Sequence, residues 1–129
     1  MGVRRFEDLI AWQLAYELQE EVFAFTAQGP ASLDYQYCHQ IRESCRSATR
    51  NTAEGFGRYT PKDFVRFLRF AAGSLQETRT HLTDGLKRRY LSPDEHKRLT
   101  RLALRAFRAN TRLTAYVFTS TAPTPSRNR

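Results

Sequence analysis

The sequence predicts an all-α protein, an antiparallel up-down-up-down bundle of four helices. Apolar residues recur at helical spacing in four segments, and signals for β-strands are almost absent. The connections between the segments are short, so consecutive helices are expected to be antiparallel neighbours. We expect residues 1–119 to form a single domain. Residues 120–129 are rich in Thr, Pro, Ser and Arg and are expected to form a disordered tail.

The first helix is expected over residues 6–27. Its apolar residues fall into two adjacent rows, which together make a band wider than one seam of a bundle requires. The first row is Leu9, Trp12, Tyr16 and Phe23, and the second is Ala11, Ala15, Leu18, Val22 and Phe25. Gly29 and Pro30 follow the last apolar residue. Both residue types interrupt helices, so the first helix is expected to stop before them.

The second helix is expected to begin after residue 34 and to run to about residue 55. Most side chains of its apolar seam are small, which allows a neighbouring helix to approach closely. The seam is Cys38, Ile41, Cys45, Ala48 and Thr52. The two cysteines should lie about 10 Å apart on this helix, which is too far for a disulfide. Gly55 and Gly57 are expected to end the helix by adopting positive φ angles.

Capping signals mark the starts of the third and fourth helices. Thr60 is a suitable N-cap, Pro61 suits the first helical position, and Asp63 stands where a capping-box acid belongs. The apolar row of the third helix is Phe64, Phe67, Leu68, Ala71, Leu75, Leu82 and Leu86. Residues 92–95 form a second capping box, and the fourth helix is expected to run to about residue 118.

Positive charge is concentrated on two predicted helix faces. The net charge is +8 and the isoelectric point is about 10.1, a balance that favours nucleic acid or an anionic surface as partner. Arginines of the fourth helix fall within an arc of roughly 80°. They are Arg98, Arg101, Arg105, Arg108 and Arg112, and a shorter row on the second helix is Arg42, Arg46 and Arg50. No acidic residue follows Glu95 in the chain.

Two interpretations of these arginine rows are open. A row of arginines can be a solvated helix face, because arginine is a good helix former. Two rows and few nearby acids also suit contacts with the phosphates of RNA or DNA, which depend on salt and carry little sequence preference. We expect the eight arginines to be the nucleic-acid-binding residues. Four tyrosines near helix ends could stack on bases or could serve packing; they are Tyr35, Tyr37, Tyr59 and Tyr90.

Signals for catalysis are missing from the sequence. His39, His81 and His96 lie on three different predicted helices, and their spacing matches no metal motif. No nucleophile–base pair, paired carboxylates or cofactor loop is visible, so we expect no enzyme, no catalytic residue, no cofactor and no metal. The sequence shows no signal peptide and no apolar run of membrane-spanning length. A cytoplasmic protein without a membrane partner is expected.

A glycine-containing segment closes the second predicted helix, and we interpret it as a structural motif. Its residues are Asn51, Glu54, Gly55, Gly57 and Arg58. An acid near a helix C-terminus is unfavourable with respect to the helix dipole, so Glu54 should pair with Arg58 or Arg50, each four residues away. The glycines end a helix instead of following a strand, which argues against a phosphate-binding loop.

Residues 47–75 carry a family resemblance. The matching positions include Asn51, Ala53, Glu54, Gly55, Phe56, Gly57, Arg58, Phe64, Phe67, Leu68, Ala72, Gly73, Ser74, Leu75 and Glu77, with Phe6, Trp12 and Gln40 upstream. With them the chain resembles the bacterial four-helix-bundle proteins of intervening sequences in 23S ribosomal RNA genes. The same broad family contains the accessory variability determinant of diversity-generating retroelements. The family typically has Ile, Pro and Ile where this chain has Ala48, Thr49 and Thr52. The binding partners of other family members therefore do not transfer directly to this chain.

The resemblance implies an assembly and a role. It implies an antiparallel bundle that forms a ring, commonly a homopentamer, and in the retroelement branch binding to a reverse transcriptase and to RNA. The wide apolar band of the first helix is compatible with one contact inside the bundle and a second between subunits. The competing hypothesis is a homo-oligomeric scaffold or protein-interaction module without nucleic-acid binding. In that case the arginines of the fourth helix would pair across a subunit interface with Glu17, Glu20 and Glu21.

Overall fold

Four α-helices connected by short segments make up the molecule. The structure is a computed structural model, and it describes residues 2–120. The helices are α1 (Ile10–Thr26), α2 (Tyr35–Phe56), α3 (Pro61–Lys87) and α4 (Pro93–Ser120). Short 3-10 turns at Phe6–Asp8 and Pro30–Leu33 precede α1 and α2. The predicted all-α four-helix bundle is confirmed.

Each helix packs mainly against the helices that precede and follow it in the chain. The most extensive contact is between α2 and α3, and α4 closes the bundle by packing against α1. This order places α2 and α4 diagonally opposite each other. Positions that are far apart in sequence, at the two ends of the chain, therefore become neighbours across the α1–α4 contact.

The core runs along the centre of the bundle. Its most completely buried large side chains are leucines and one isoleucine, and every helix contributes to it: Leu18, Ile41, Leu68, Leu75, Leu82 and Leu99. The second apolar row predicted for α1 forms part of this core. In the first row, by contrast, Leu9 is buried but Tyr16 is 41% exposed. The ring of Tyr16 stacks on Trp12, with 4.9 Å between the ring centroids and 9° between the planes.

Side-chain caps fix the starts of three helices. The Thr60 hydroxyl accepts a hydrogen bond from the Asp63 amide at 3.1 Å. At the start of α4, the Ser92 hydroxyl accepts from the Glu95 amide at 3.1 Å, and the Glu95 carboxylate accepts from the Ser92 amide at 2.9 Å. Both predicted caps are thus present. Asp34 caps α2 by accepting from the Tyr37 amide at 3.1 Å.

The prediction that Gly57 ends α2 is confirmed, but the positive φ angles expected at Gly55 and Gly57 are absent and Gly55 does not end the helix. Gly57 caps α2 with a φ of −80°, whereas Gly55 lies inside the helix and is buried. A Cβ added to Gly55 would lie 2.9 Å from the Cβ of Phe67, so this glycine allows α3 to approach α2 closely. Within the described residues, a positive φ of 66° occurs at Gly29, between α1 and α2, and at Arg89, between α3 and α4.

The ends of the chain and of the first helix also differ from expectation. Residues 6–8 form a 3-10 turn, so that α1 itself begins at Ile10. Helix α4 includes Ser120, which we assigned to the tail. The remainder of that predicted tail, residues 121–129, lies outside the described residues. Of the helices within residues 2–120, none combines the length and apolar character that crossing a membrane requires.

Candidate nucleic-acid interface

The arginines of α4 lie on its outer face. Arg98, Arg101, Arg105, Arg108 and Arg112 are all exposed, as the helical spacing predicts. The opposite face of α4 is buried in the core through Leu99, Leu102, Ala103, Ala106, Ala109 and Val117. Burial of this apolar face fixes the rotation of the helix about its axis. The five guanidinium groups, which we call the α4 row, are therefore held towards solvent by the packing of the bundle.

One member of the α4 row forms an ion pair. Arg98 Nη1 lies 3.0 Å from Glu21 Oε1 of α1. Within residues 2–120, Arg101, Arg105, Arg108 and Arg112 have no carboxylate within ion-pair distance. A groove of about 530 Å³ lies between α1 and α4 beside this row, and its charged lining includes Arg101 and Arg105 together with the acids Glu17 and Asp94. Within the described residues, the α4 row is therefore paired with a carboxylate at its Arg98 end and not along the rest of its length.

The arginines of α2, which we call the α2 row, have a different environment. Arg42 is half-buried and donates from Nε to the Thr26 hydroxyl at 2.9 Å. The guanidinium carbons of Arg42 and Arg46 lie 4.9 Å and 4.7 Å from the centroid of the Phe23 ring. Arg46 and Arg50 each approach Glu43 to 3.8 Å. The α2 row is thus held against side chains of its own subunit.

An acidic helix face lies between the two rows. Helix α1 contacts both α2 and α4, and its carboxylates Glu17 and Glu20 are exposed while Glu21 is half-buried. The two arginine rows therefore do not merge into one positive surface across α1. The structure separates the two sets that the sequence analysis joined as nucleic-acid-binding residues.

The side chains of segment 51–58 make contacts within the protein, as a structural motif should. Glu54 and Arg58 form the expected ion pair, with 2.9 Å between Oε2 and Nη2. Asn51 donates from Nδ2 to the Ser47 carbonyl at 2.9 Å, and the Ser47 hydroxyl shares a hydrogen bond of 2.7 Å with that of Ser74. The Ser47–Ser74 hydrogen bond joins α2 to α3, whereas the Asn51 and Glu54 contacts are local to the second half of α2 and the residues that follow it.

A family comparison agrees with this architecture. Residues 7–109 match the sequence profile of the 23S rRNA-intervening sequence proteins. The chain belongs to this family. The matched region contains α1, α2, α3 and most of α4, so the family covers the bundle as a whole. No curated protein matches the chain.

The family match includes four of the five α4 arginines. Arg98, Arg101, Arg105 and Arg108 lie within residues 7–109, and Arg112 lies beyond them. The matched region also includes the α2 row and the segment 51–58. Membership in the 23S rRNA-intervening sequence family therefore supports the shared fold of these elements.

Potential catalytic and metal-binding groups of this family member are dispersed or buried. Cys38 and Cys45 are both free and buried, and burial raises the pKa of the Cys45 thiol to about 12. Burial likewise raises the pKa of Cys38, so neither thiol is an activated nucleophile. Within the described part of the chain, no three His, Cys, Asp or Glu residues are placed to hold a metal ion.

The four tyrosines have separate environments. Tyr37 is buried and donates to the His81 carbonyl at 2.8 Å, which assigns it to packing. Tyr90 donates to Asp34 at 2.6 Å, and this hydrogen bond contributes most to holding the pKa of Asp34 below its usual value. Tyr35 and Tyr59 are exposed.

Proposed function

We propose that this 23S rRNA-intervening sequence protein is a non-enzymatic ring of identical subunits, a homopentamer, that binds the backbone of RNA or DNA. The α4 row is the observation that carries the proposal. Its arginines are exposed along one helix face, and four of them have no ion-pair partner within residues 2–120. Phosphate groups would supply the anions that this face lacks.

The electrostatics of the α4 row favour phosphate over an isolated carboxylate as ligand. Neighbouring positive charges at helical spacing repel each other by a few tenths of a kcal/mol per pair. A nucleic-acid backbone presents regularly repeated negative charges, so it can neutralise several guanidinium groups together and release its counterions. Such binding weakens as salt rises and discriminates little between sequences.

Assembly into a ring would place several copies of the α4 row on one particle. Ile10 is 60% exposed, and the half-exposed Trp12–Tyr16 stack lies on the same helix. These apolar groups on α1 are available for a subunit contact in addition to the core contact. Five copies of the α4 row on one particle would raise the effective concentration of binding sites for a long nucleic acid.

We further propose that the ring works beside a reverse transcriptase, as an accessory subunit in a diversity-generating retroelement. Support for this comes from the resemblance to the accessory determinant of those elements and from the basic α4 row. A cytoplasmic location belongs to the same proposal.

Titration with labelled RNA at increasing salt tests the nucleic-acid role. The variant Arg101→Glu/Arg105→Glu/Arg108→Glu should lose RNA binding, while light scattering should show an unchanged oligomer. All three residues are exposed, so the fold should tolerate the change. Unchanged RNA affinity in this variant would refute the proposal.

A second candidate function is a scaffold that binds no nucleic acid. The Arg98–Glu21 pair favours it, because it shows that an α4 arginine can use an acid of α1. In this structure the pair forms within one subunit, which leaves Glu17 and Glu20 for pairs between subunits. An oligomer held by such pairs should dissociate in high salt, whereas an oligomer held by apolar contacts should persist.

A further inference from the structure

An exposed groove lies between the start of α3 and the end of α4. It has a volume of about 570 Å³, and we call it the α3–α4 groove. Its lining residues are Lys62, Asp63, Val65, Arg66, Arg69, Phe70 and Phe118. Aromatic rings thus lie beside cationic side chains, on a contact that involves neither α1 nor α2.

Rings and guanidinium groups alternate next to this groove. The guanidinium carbons of Arg58 and Arg66 lie 4.5 Å and 4.8 Å from the centroid of Phe67. Arg66 also lies 5.7 Å from the ring of Phe70. Phe67 was expected in the core, but it is half-buried, with these guanidinium groups over its ring. Phe70 is 49% exposed, so a large part of its ring faces solvent.

The rim of the groove is positively charged. Asp63 pairs with Arg66 at 3.5 Å and is the acidic residue in the lining. Lys62 and Arg69 have no carboxylate within ion-pair distance in the described part of the chain. An occupant should therefore combine an apolar, flat portion with negative charge on either side.

We propose that the α3–α4 groove binds an unpaired base of a single-stranded nucleic acid. The base stacks on Phe70, and Lys62 and Arg69 contact the flanking phosphates. This inference rests on the proposed nucleic-acid function but concerns a site separate from the α4 row. In a duplex the base faces are covered by their neighbours, so this groove gives the protein a preference for single strands.

A single-stranded nucleic acid fits this groove better than an acidic peptide helix. The lining of α3 spans Lys62 to Phe70, about 12 Å along the helix axis. A bound amphipathic helix presents anchors at i, i+3, i+4 and i+7 and needs a longer apolar trough. A planar base needs one exposed ring beside a cation, which Phe70 and Arg66 provide.

Binding of single and double strands by the full-length protein tests this inference. The probes are fluorescein-labelled oligouridine, the same strand with abasic units, and an RNA duplex of equal length. Phe70→Ala and Phe70→Leu should each weaken oligouridine binding about tenfold. Phe70→Tyr should retain it. Duplex binding should change less than twofold in all three variants, and the abasic strand should bind wild type and Phe70→Ala equally.

Several results would overturn the inference. They are full oligouridine affinity in Phe70→Leu, an equal loss for strand and duplex, and dissociation of the oligomer in Phe70→Ala, which would assign the groove to a subunit contact. A competition result would also overturn it: an acidic peptide displaces oligouridine, and Phe70→Ala weakens binding of the peptide but not of oligouridine. Unaltered duplex binding in the α4 charge-reversal variant would instead refute the proposed function, so the two failures are distinguishable.

Discussion

The α2 row and the α4 row carry the same residue type at the same helical spacing, yet they meet different neighbours. Arg42 of α2 donates to Thr26 and covers the ring of Phe23 together with Arg46. In the α4 row, Arg98 alone among the five pairs with a carboxylate within residues 2–120. Two members of the α2 row, Arg42 and Arg46, hold α2 to α1, and Arg50 pairs with Glu43 of its own helix. Most of the α4 row remains available to an external anion.

The difference shows what a charge pattern does and does not report. Periodicity tells which residues share a helix face, because the geometry of the helix is fixed. Whether that face is available depends on the adjacent helix and on nearby carboxylates. Glu43 lies within ion-pair distance of both Arg46 and Arg50. Arg105 has no carboxylate within that distance in residues 2–120, although Glu17 lines the same groove between α1 and α4.

Reversal of two charges in each row should produce the largest difference between them. Arg101→Glu/Arg105→Glu should weaken RNA binding roughly 100-fold at low salt, because two phosphate contacts are replaced by repulsion. Arg46→Glu/Arg50→Glu alters the net charge equally and should lower the affinity for RNA less than about threefold. Fluorescence anisotropy with one labelled RNA measures both. Equal losses would show that net charge, and not the location of the row, governs binding.

Alanine substitutions should rank the two rows in the opposite order when stability is measured. Arg42→Ala removes the hydrogen bond to the buried Thr26 hydroxyl and one guanidinium from the Phe23 ring. We expect it to lower the free energy of unfolding by about 1–2 kcal/mol. Arg105→Ala should stay within about 0.5 kcal/mol of wild type. Urea denaturation at one protein concentration tests this, and a larger loss for Arg105→Ala would contradict the assignment of the two rows.

Removal of a single acid should give the smallest effect. Glu43→Gln releases Arg46 and Arg50 from their shared carboxylate, so RNA affinity should rise about two- to threefold. Glu20→Gln is a matched control, because Glu20 is exposed and forms no ion pair within residues 2–120. The same anisotropy assay compares them. An equal rise in both variants would reflect net charge and would remove any special role for Glu43.

The fold could be predicted in most of its parts because its signals are local. The caps at Thr60 and Ser92 and the apolar seam of α2 depend on residues within one or two turns of each other. The seven-residue separation of Cys38 and Cys45 on one helix likewise excluded a disulfide, and both are free. Local geometry is the same in any bundle, so these features follow without knowledge of the partners.

Apart from the helix ends, the errors concern contacts between helices. Gly55 was expected at positive φ, but it lies within α2, where Phe64 and Phe67 of α3 leave no space for a Cβ. Of the two apolar rows of α1, the one containing Tyr16 is left partly exposed by the positions of its neighbours. The α3–α4 groove was not foreseen, although Arg66 and Phe70 are four residues apart on one predicted helix. That spacing was the available signal.

The sequence by itself determined four helices, their capped starts and the faces that carry arginine, because periodicity and capping act over a few residues. Only the tertiary structure decided which arginines remain available. Arg42 meets Thr26, which is 16 residues away in the chain, and Arg98 meets Glu21 across the closing contact of the bundle. Such pairs arise from the packing order of the helices. Arg42 and Arg98 are therefore committed by neighbours that their own helices do not contain, whereas Glu43, the partner of Arg46 and Arg50, lies on α2 itself.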